Sequence, residues 1–450
     1  MLTPDAALER LDHILSLAKR AGATAADAIY AAEASTGIGV RMGALEDVGR
    51  SESGEIGIRL FDGRKSAQVS TSDLSAAAMA QAVEQALAMA RVAPDDPYAG
   101  LADPALLATG PFADLDLYDP AVDALGADQL RALALAAEDS ARAIPGIVNS
   151  EGGSAGAGSS VTALATSTGF RGGQRGSSIS VSAVVVAGTG AAMQRDYEWH
   201  QVRHLADLEA AADIGRRAGE RTVARLNPVK LPTGAMPVLF DPRVSSGLLG
   251  HLLGAINGAA IARGTSFLKD RLGEQLFDSA IRIEDNPHLL RGSRSRAFDG
   301  EGLATAPRTI VADGRVTGML ADVAAARQLG MAPTGHASRG VSGPPGASAS
   351  NLWLAAGSVS PAELMADVKL GIWVTELIGM GVNGLTGDYS RGAGGFVIRN
   401  GVLAEPVAEV TIAGNLLAMF RAMVPANDLL FRHAINAPTV RVDGMTVAGE

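Results

Sequence analysis

The sequence of 450 residues contains no cysteine, and this absence excludes several kinds of site at once. Without thiols the chain has no disulfide framework, no thiolate nucleophile and no thiolate metal ligand. Any metal site would have to be built from the 7 histidines and from carboxylates. Aromatic residues are also scarce, at 4%, whereas the 54 glycines are abundant.

Long apolar runs and an excess of basic residues are lacking too. No apolar run reaches the roughly 18 residues that suggest a membrane helix, so we expect no membrane span. The formal net charge of −10 argues against a nucleic-acid surface, because phosphate binding needs clustered lysine and arginine. The first 20 residues predict an amphipathic helix that Thr3 caps and Pro4 begins, rather than an export signal, so we expect a cytoplasmic protein.

The length and the distribution of turns predict the architecture. A single core stops growing at roughly 250–300 residues, so we expect two domains, residues 1–226 and 227–450, joined by a proline-bearing linker. Short β-rich runs end in the turn pairs Asp62-Gly63, Asp313-Gly314 and Asn400-Gly401. Helical periodicity occurs near residues 4–21, 73–93, 127–143, 205–226, 244–261 and 360–380. This mixture predicts an α+β fold with large, mainly antiparallel sheets and flanking helices.

Three motif matches carry little functional information. Residues 152–156 match the G-x-S-x-G pattern around Ser154, but a strand-like run follows instead of a helix, so we interpret them as a hairpin turn. His200 and His204 are four residues apart without an acidic partner, which is typical of a strand-to-helix junction. No phosphate-binding loop is present, so a nucleotide site is not predicted.

The segment SGLLGHLLGAINGAA, residues 246–260, combines a leucine face with a glycine face. Gly250, Gly254 and Gly258 recur every four residues opposite the leucines. Each glycine costs a helix up to about 1 kcal/mol relative to alanine, so we expect another backbone, or a substrate chain, to approach closely there. His251 lies between the two faces, where a structural histidine is the simpler interpretation than a ligand.

The C-terminal third makes the chain recognisable. GLTGDYSRGAGGFVIRNGVLAEPVAEVTIAGNL, residues 384–416, resembles the C-terminal signature of the TldE family, also called PmbA, and the similarity continues over residues 427–449. Segments 54–71, 264–277 and 298–314 resemble the family as well. The resemblance implies a subunit that pairs with a TldD-type zinc protease subunit to cleave unfolded peptides in a closed cavity.

The same resemblance implies that the zinc site is degenerate in this chain. TldD relatives carry His-Glu-x-x-x-His on a helix and a cysteine in a later loop; the matching helix positions here are Gly250, His251 and Ala255. The loop between Asp428 and Pro438 has no cysteine, and only His433 could join His251. The resemblance therefore implies a subunit that is not catalytic by itself and has no metal of its own. We expect zinc in the partner and a homodimer when the partner is absent.

The polar residues of the signature are the candidates for contact with peptide in the cavity: Asp388, Tyr389, Ser390 and Arg391. In a structural interpretation, Asp388 instead caps a turn and Arg391 pairs with an acid in a glycine-rich loop. Two further hypotheses remain open. One is a homo-oligomeric scaffold that binds peptide without proteolysis. The other is a metal-independent hydrolase based on Ser390 or Ser154, which requires a histidine base beside the hydroxyl.

Overall fold

The structure, a computed structural model, describes residues 1–449 and confirms the predicted α+β class. The helices of the described residues are α1 (Pro4–Ala21), α2 (Ala76–Val92), α3 (Pro120–Asp123), α4 (Ala127–Arg142), α5 (Ala211–Ala224), α6 (Pro242–Ala255), α7 (Gly258–Ala262), α8 (Val323–Leu329), α9 (Pro361–Met365) and α10 (Leu416–Arg421).

The strands of the first half are β1 (Ala25–Arg41), β2 (Ala44–Asp62), β3 (Lys65–Thr71), β4 (Ile147–Thr166), β5 (Arg171–Ala187) and β6 (Gln194–Val202). Those of the second half are β7 (Gly234–Phe240), β8 (Ile283–Asp285), β9 (Arg308–Ala312), β10 (Arg315–Val316), β11 (Ala337–Ser338), β12 (Gly346–Ala347), β13 (Leu352–Leu354), β14 (Leu370–Ile378), β15 (Asp388–Arg399), β16 (Val402–Asn415), β17 (Met423–Pro425), β18 (Ile435–Asn436) and β19 (Val440–Ala448).

The first six strands form one antiparallel sheet in the order β3-β2-β1-β4-β5-β6. Strands β4, β5 and β6 largely alternate buried and more exposed residues because helices cover one face, whereas β2 is exposed over residues 44–53 and buried over residues 56–61. Helices α1 and α2 enclose one apolar cluster against β1, β2 and β4, and α4 and α5 enclose a second against β4 and β5. Thr3 caps α1 as predicted, since its hydroxyl accepts a hydrogen bond from the backbone N–H of Ala6.

The second half is organised around strands that close on themselves. The sheet runs β16-β15-β14-β7-β19-β17, and β16 also pairs with β19, so five of its strands form a ring. Only β7 and β14 are parallel; the other pairs in the ring are antiparallel. A smaller sheet, β10-β9-β8-β13-β18, shares the apolar core of this half, which helix α6 also enters through its leucines.

Two helix predictions were wrong in extent. The helix expected over residues 360–380 ends at Met365, although its capping box of Ser360 and Glu363 forms as the sequence indicates. Residues 370–378 are instead strand β14, because they pair with β7 on one side and β15 on the other. The predicted helix over residues 244–261 divides into α6 and α7, and Asn257 caps the second piece.

The two halves meet through buried charges. Asp27 on β1 is 1% exposed, and it pairs with Arg59 of the first half and with Arg339 of the second. Burial alone would raise the pKa of Asp27, but the two guanidinium charges outweigh burial and hold it below its ordinary value. Beside this cluster, a Cβ on Gly57 would lie 2.1 Å from the carbonyl oxygen of Val341, so the two backbones are in direct contact. The division of the chain after residue 226 stays a prediction.

None of the helices in the described range, residues 1–449, is both long and apolar enough to cross a lipid bilayer.

The Asp27→Asn variant tests the buried pair. Removing the carboxylate leaves Arg339 buried without its partner and Arg59 with only the more distant carboxylate of Glu301, at 3.9 Å, so we expect a loss of about 3–5 kcal/mol in the free energy of unfolding. The matched control is Asp12→Asn, because Asp12 forms a half-exposed pair with Arg171 and should matter little. Urea denaturation followed by circular dichroism measures both. Equal midpoints for the two variants would contradict a stabilising role for the buried pair.

Candidate functional site

Helix α6 presents a packed face and an open face. Asp241 caps its N-terminus by accepting a hydrogen bond from the backbone N–H of Arg243, at 3.0 Å. Leu248, Leu249 and Leu252 are at most 3% exposed and anchor the helix in the apolar core. The leucine face thus determines the position and orientation of the helix, and the glycine face is not needed for packing in the core.

The glycine face is open to a cavity. A Cβ added to Gly250 or Gly254 would meet no atom within 4 Å, so the expectation that another backbone of the chain approaches there is wrong. Close approach occurs only at Gly258, where a Cβ would lie 3.0 Å from the carbonyl oxygen of Leu320. Gly250 and Gly254 instead line a cavity of about 300 Å³, together with His251 and Ala255. The substrate alternative of the sequence analysis stays a prediction.

Strand β15 forms the wall opposite α6. The signature residues 388–391 belong to this strand, not to a loop as expected, because they pair with residues 412–415 of β16. Side chains alternate along a strand, so Tyr389 and Arg391 share one face while Asp388 and Ser390 share the other. The register thus divides the four candidate residues between two different surroundings.

Tyr389 is buried against His251. Its ring is 2% exposed and meets the His251 ring edge-on, with centroids 5.8 Å apart. The Tyr389 hydroxyl has no hydrogen-bond partner among the described residues, and burial raises its pKa to about 12. Burial, together with the nearby charge of Arg391, lowers the pKa of His251, so the imidazole is neutral at pH 7.

Arg391 brings an uncompensated positive charge to the cavity. Its Nε donates a hydrogen bond to the carbonyl oxygen of Ile378, at 3.3 Å. In the described range no carboxylate lies within 4.0 Å of its guanidinium, so the interpretation of Arg391 as the partner of an acid is wrong. None of the residues that line the cavity is acidic. The positive charge of Arg391 therefore favours an anionic group in the cavity over a cation.

Asp388 has the structural role that the sequence analysis left open. Its carboxylate accepts hydrogen bonds from the Thr386 hydroxyl, at 2.7 Å, and from the Asn415 side chain, at 3.1 Å. These bonds hold the pKa of Asp388 below its ordinary value. The loop before β15 is also fixed to that strand by a hydrogen bond, because the backbone N–H of Ser390 donates to the carbonyl oxygen of Gly381. Asp388 thus fixes the loop that borders the cavity.

The donor set at α6 does not fit a zinc ion. Of the three motif positions, Gly250 and Ala255 carry no donor, and His251 alone could bind a metal. His433 lies elsewhere, with its ring 4.7 Å from that of Trp199. Across the described residues, no group of three or more histidines and carboxylates could hold a metal ion. Zinc needs at least three protein ligands, so the residues present do not supply a site.

The remaining sequence candidates have other roles. Ser154 lies within β4, not in the expected hairpin turn, and its hydroxyl is 2.8 Å from that of Ser182. Neither Ser154 nor Ser390 has a histidine as hydrogen-bond partner in the described part of the chain, so the hydrolase hypothesis has no base. His200 lies near the end of β6 and His204 follows the strand, as expected of a strand-to-helix junction. The His200 ring accepts a hydrogen bond from the Glu209 backbone N–H, and the His204 ring is hydrogen-bonded to the Asp116 carbonyl oxygen.

Sequence reasoning missed the residues that complete the cavity. Phe267, Met380, Val382 and Leu416 supply its apolar walls from three separate segments, since Met380 and Val382 belong to the same loop. No local pattern connects these positions.

The Tyr389→Phe variant tests the unpartnered hydroxyl. A buried polar group without a partner costs about 1–3 kcal/mol, so we expect unchanged or higher stability when it is removed. The matched control is Tyr30→Phe, because the equally buried Tyr30 hydroxyl accepts a hydrogen bond from the Leu2 backbone N–H. The control should lose about 1 kcal/mol. Thermal unfolding measures both variants, and equal destabilisation would show that Tyr389 has a partner in solution.

Three family models match the chain along nearly its whole length. They are the PmbA/TldA metallopeptidase domain 1 over residues 26–90, the central domain over residues 120–226 and the C-terminal domain over residues 233–449.

Named relatives and solved structures agree with these matches. The metalloprotease PmbA of Escherichia coli O157:H7 is 40% identical over 92% of this chain and 90% of its own length. The PmbA homologue of Haemophilus influenzae is 36% identical over 97% of this chain and 94% of its own length. A Bacteroides thetaiotaomicron protein, named as a candidate modulator of DNA gyrase, superposes with a TM-score of 0.91 at 28% identity, covering 100% of both chains. TldE from Thermococcus kodakarensis has a TM-score of 0.87 over 98% of this chain and 100% of its own, and at 19% identity it shows the fold alone. Together, the family models and the two identities above 30% establish that this chain belongs to the PmbA/TldE family.

Proposed function

We propose that this chain is the metal-free subunit of a peptidase whose zinc is carried by a TldD-type partner. The observation that carries the proposal is the composition of α6. At the position of the metal motif, Gly250 and Ala255 face a cavity that lacks acidic residues and contains Arg391. Such a site favours binding of a peptide over activation of water.

Two features support peptide binding by this subunit. The cavity beside α6 joins a shallow outer groove of about 720 Å³ through the shared residues Thr265, Met380, Val382 and Gly384. A second surface is the edge of β2, where residues 44–53 are exposed and β3 pairs only from Ile56 onwards. An extended peptide can add to such an edge through main-chain hydrogen bonds, which are tolerant of sequence. Substrates of this kind are unfolded peptides and peptide precursors.

The proposal includes an assembly and a location. We propose a cytoplasmic complex with the TldD-type subunit and a homodimer when that subunit is absent. A net charge of −10 fits neither a nucleic-acid partner nor an anionic membrane surface. The alternative is a homo-oligomeric scaffold that binds peptides by the same groove and edge but takes no part in proteolysis.

Mixing experiments separate the proposal from the scaffold alternative. We expect no cleavage of a denatured protein by the purified chain with added zinc, and cleavage when an equimolar TldD-type subunit is added. A chelator should abolish the activity of the mixture. Gel electrophoresis of the digests measures cleavage, and size-exclusion chromatography measures assembly. Zinc-dependent cleavage by this chain alone would contradict the proposal, whereas a stable homodimer that the partner neither joins nor activates would support the scaffold.

Metal content gives an independent prediction. After incubation with zinc and removal of free ions, elemental analysis should find much less than one zinc per chain, because His251 offers a single ligand. His251→Ala should leave that content unchanged, and a TldD-type subunit treated identically is the positive control. A stoichiometric zinc that is lost in His251→Ala would contradict the assignment.

A further inference from the structure

The cavity between α6 and β15 combines features that point to a particular part of a peptide. Its only full charge is the Arg391 guanidinium, which in the described range has no carboxylate partner. The neutral His251 ring lies beside it, and no hydrogen bond from the described residues occupies that ring. An arginine fork and an imidazole N–H can together bind both oxygens of one carboxylate.

The walls around this charge are apolar. Phe267, Val382 and Leu416 enclose the cavity, and Met380, at its mouth, is 89% exposed. A volume of about 300 Å³ is at the lower end for a ligand site, so the cavity holds the end of a chain rather than a long segment. The outer groove of about 720 Å³ gives the rest of an extended chain a path away from the cavity.

We propose that this cavity binds the C-terminal residue of a peptide, with Arg391 holding the terminal carboxylate and the apolar walls holding a medium-sized apolar side chain. A C-terminal residue carries both groups on one Cα, whereas an aspartate or glutamate side chain brings a carboxylate without the adjacent apolar group. The inference deepens the proposed function, on which it rests, by assigning the direction in which a peptide lies on this subunit.

Substitutions at the glycine face provide a second way to change the cavity. The Cβ position of Gly254 is empty to 4 Å and its backbone is helical, so a side chain can begin there without meeting a neighbouring segment. Gly254→Leu therefore fills the cavity while leaving Arg391 in place. The same change improves helix propensity, which protects the variant against unfolding.

The test uses three fluorescent peptides, labelled at the N-terminus. The first ends in leucine with a free carboxylate, the second differs from it only in ending in leucine amide, and the third differs from the second only in an internal glutamate. Fluorescence anisotropy measures the affinity of each for the full-length protein, for Arg391→Gln, for Gly254→Leu and for Arg399→Gln. Arg399 is the control, because it lies on the same strand but pairs with Glu405 outside the cavity.

We expect the free acid to bind roughly 10- to 100-fold more tightly than either amide, which is the contribution of a charge-assisted hydrogen-bonded pair. Arg391→Gln and Gly254→Leu should each remove most of this preference, and Arg399→Gln should retain it. Circular dichroism verifies that the variants are folded.

Two outcomes would overturn the inference while leaving the proposed function intact: equal binding of all three peptides, or tight binding of the glutamate amide that depends on Arg391. If no peptide binds and the mixture with the TldD-type subunit is inactive, the proposed function itself fails.

Discussion

The division of helix α6 into a leucine face and a glycine face is the constraint on which the site depends. The leucines are buried in a core closed by the ring of strands, and this fixes the helix with its glycine face towards the cavity, opposite β15. The glycines and Ala255 then leave space along the side of the helix that faces the cavity. Because glycine weakens a helix by up to about 1 kcal/mol per residue, the packing of the leucines must offset this cost.

Electrostatics distinguish the cavity from a metal site. A zinc site collects neutral histidines and carboxylates around a cation, whereas this cavity excludes carboxylates and holds an arginine. The charge of Arg391 also opposes protonation of His251, so the two side chains together present one positive charge and one neutral donor. The acidic member of the signature, Asp388, lines the outer groove rather than the cavity and fixes the adjoining loop through Thr386 and Asn415. Strand β15 thus places Asp388 on one face and Arg391 on the other.

Local signals in the sequence predicted local structure well. The cap at Thr3 and the turn at Asn400-Gly401 both form, since each depends on residues within one turn of chain. The helix expected over residues 360–380 fails because strand β14 gains two neighbours distant in sequence. Such pairing overrides helical periodicity.

In the candidate site, too, features set by neighbouring residues were predictable and features set by distant segments were not. The four signature residues could be chosen from the sequence, but the strand that separates Tyr389 and Arg391 from Asp388 and Ser390 could not. The lack of an acid beside Arg391 could not be predicted either, because it depends on which distant segments close the cavity. His433 illustrates the same limit, since its position against Trp199 results from contact between the two halves of the chain.

A crystal structure of the chain grown with zinc and with the leucine-terminated peptide, with anomalous data collected at the zinc edge, tests the central claim most directly. The account predicts a peptide carboxylate about 3 Å from the Arg391 guanidinium and no anomalous peak beside His251. A zinc ion bound to His251, with the peptide absent from the cavity, would contradict it.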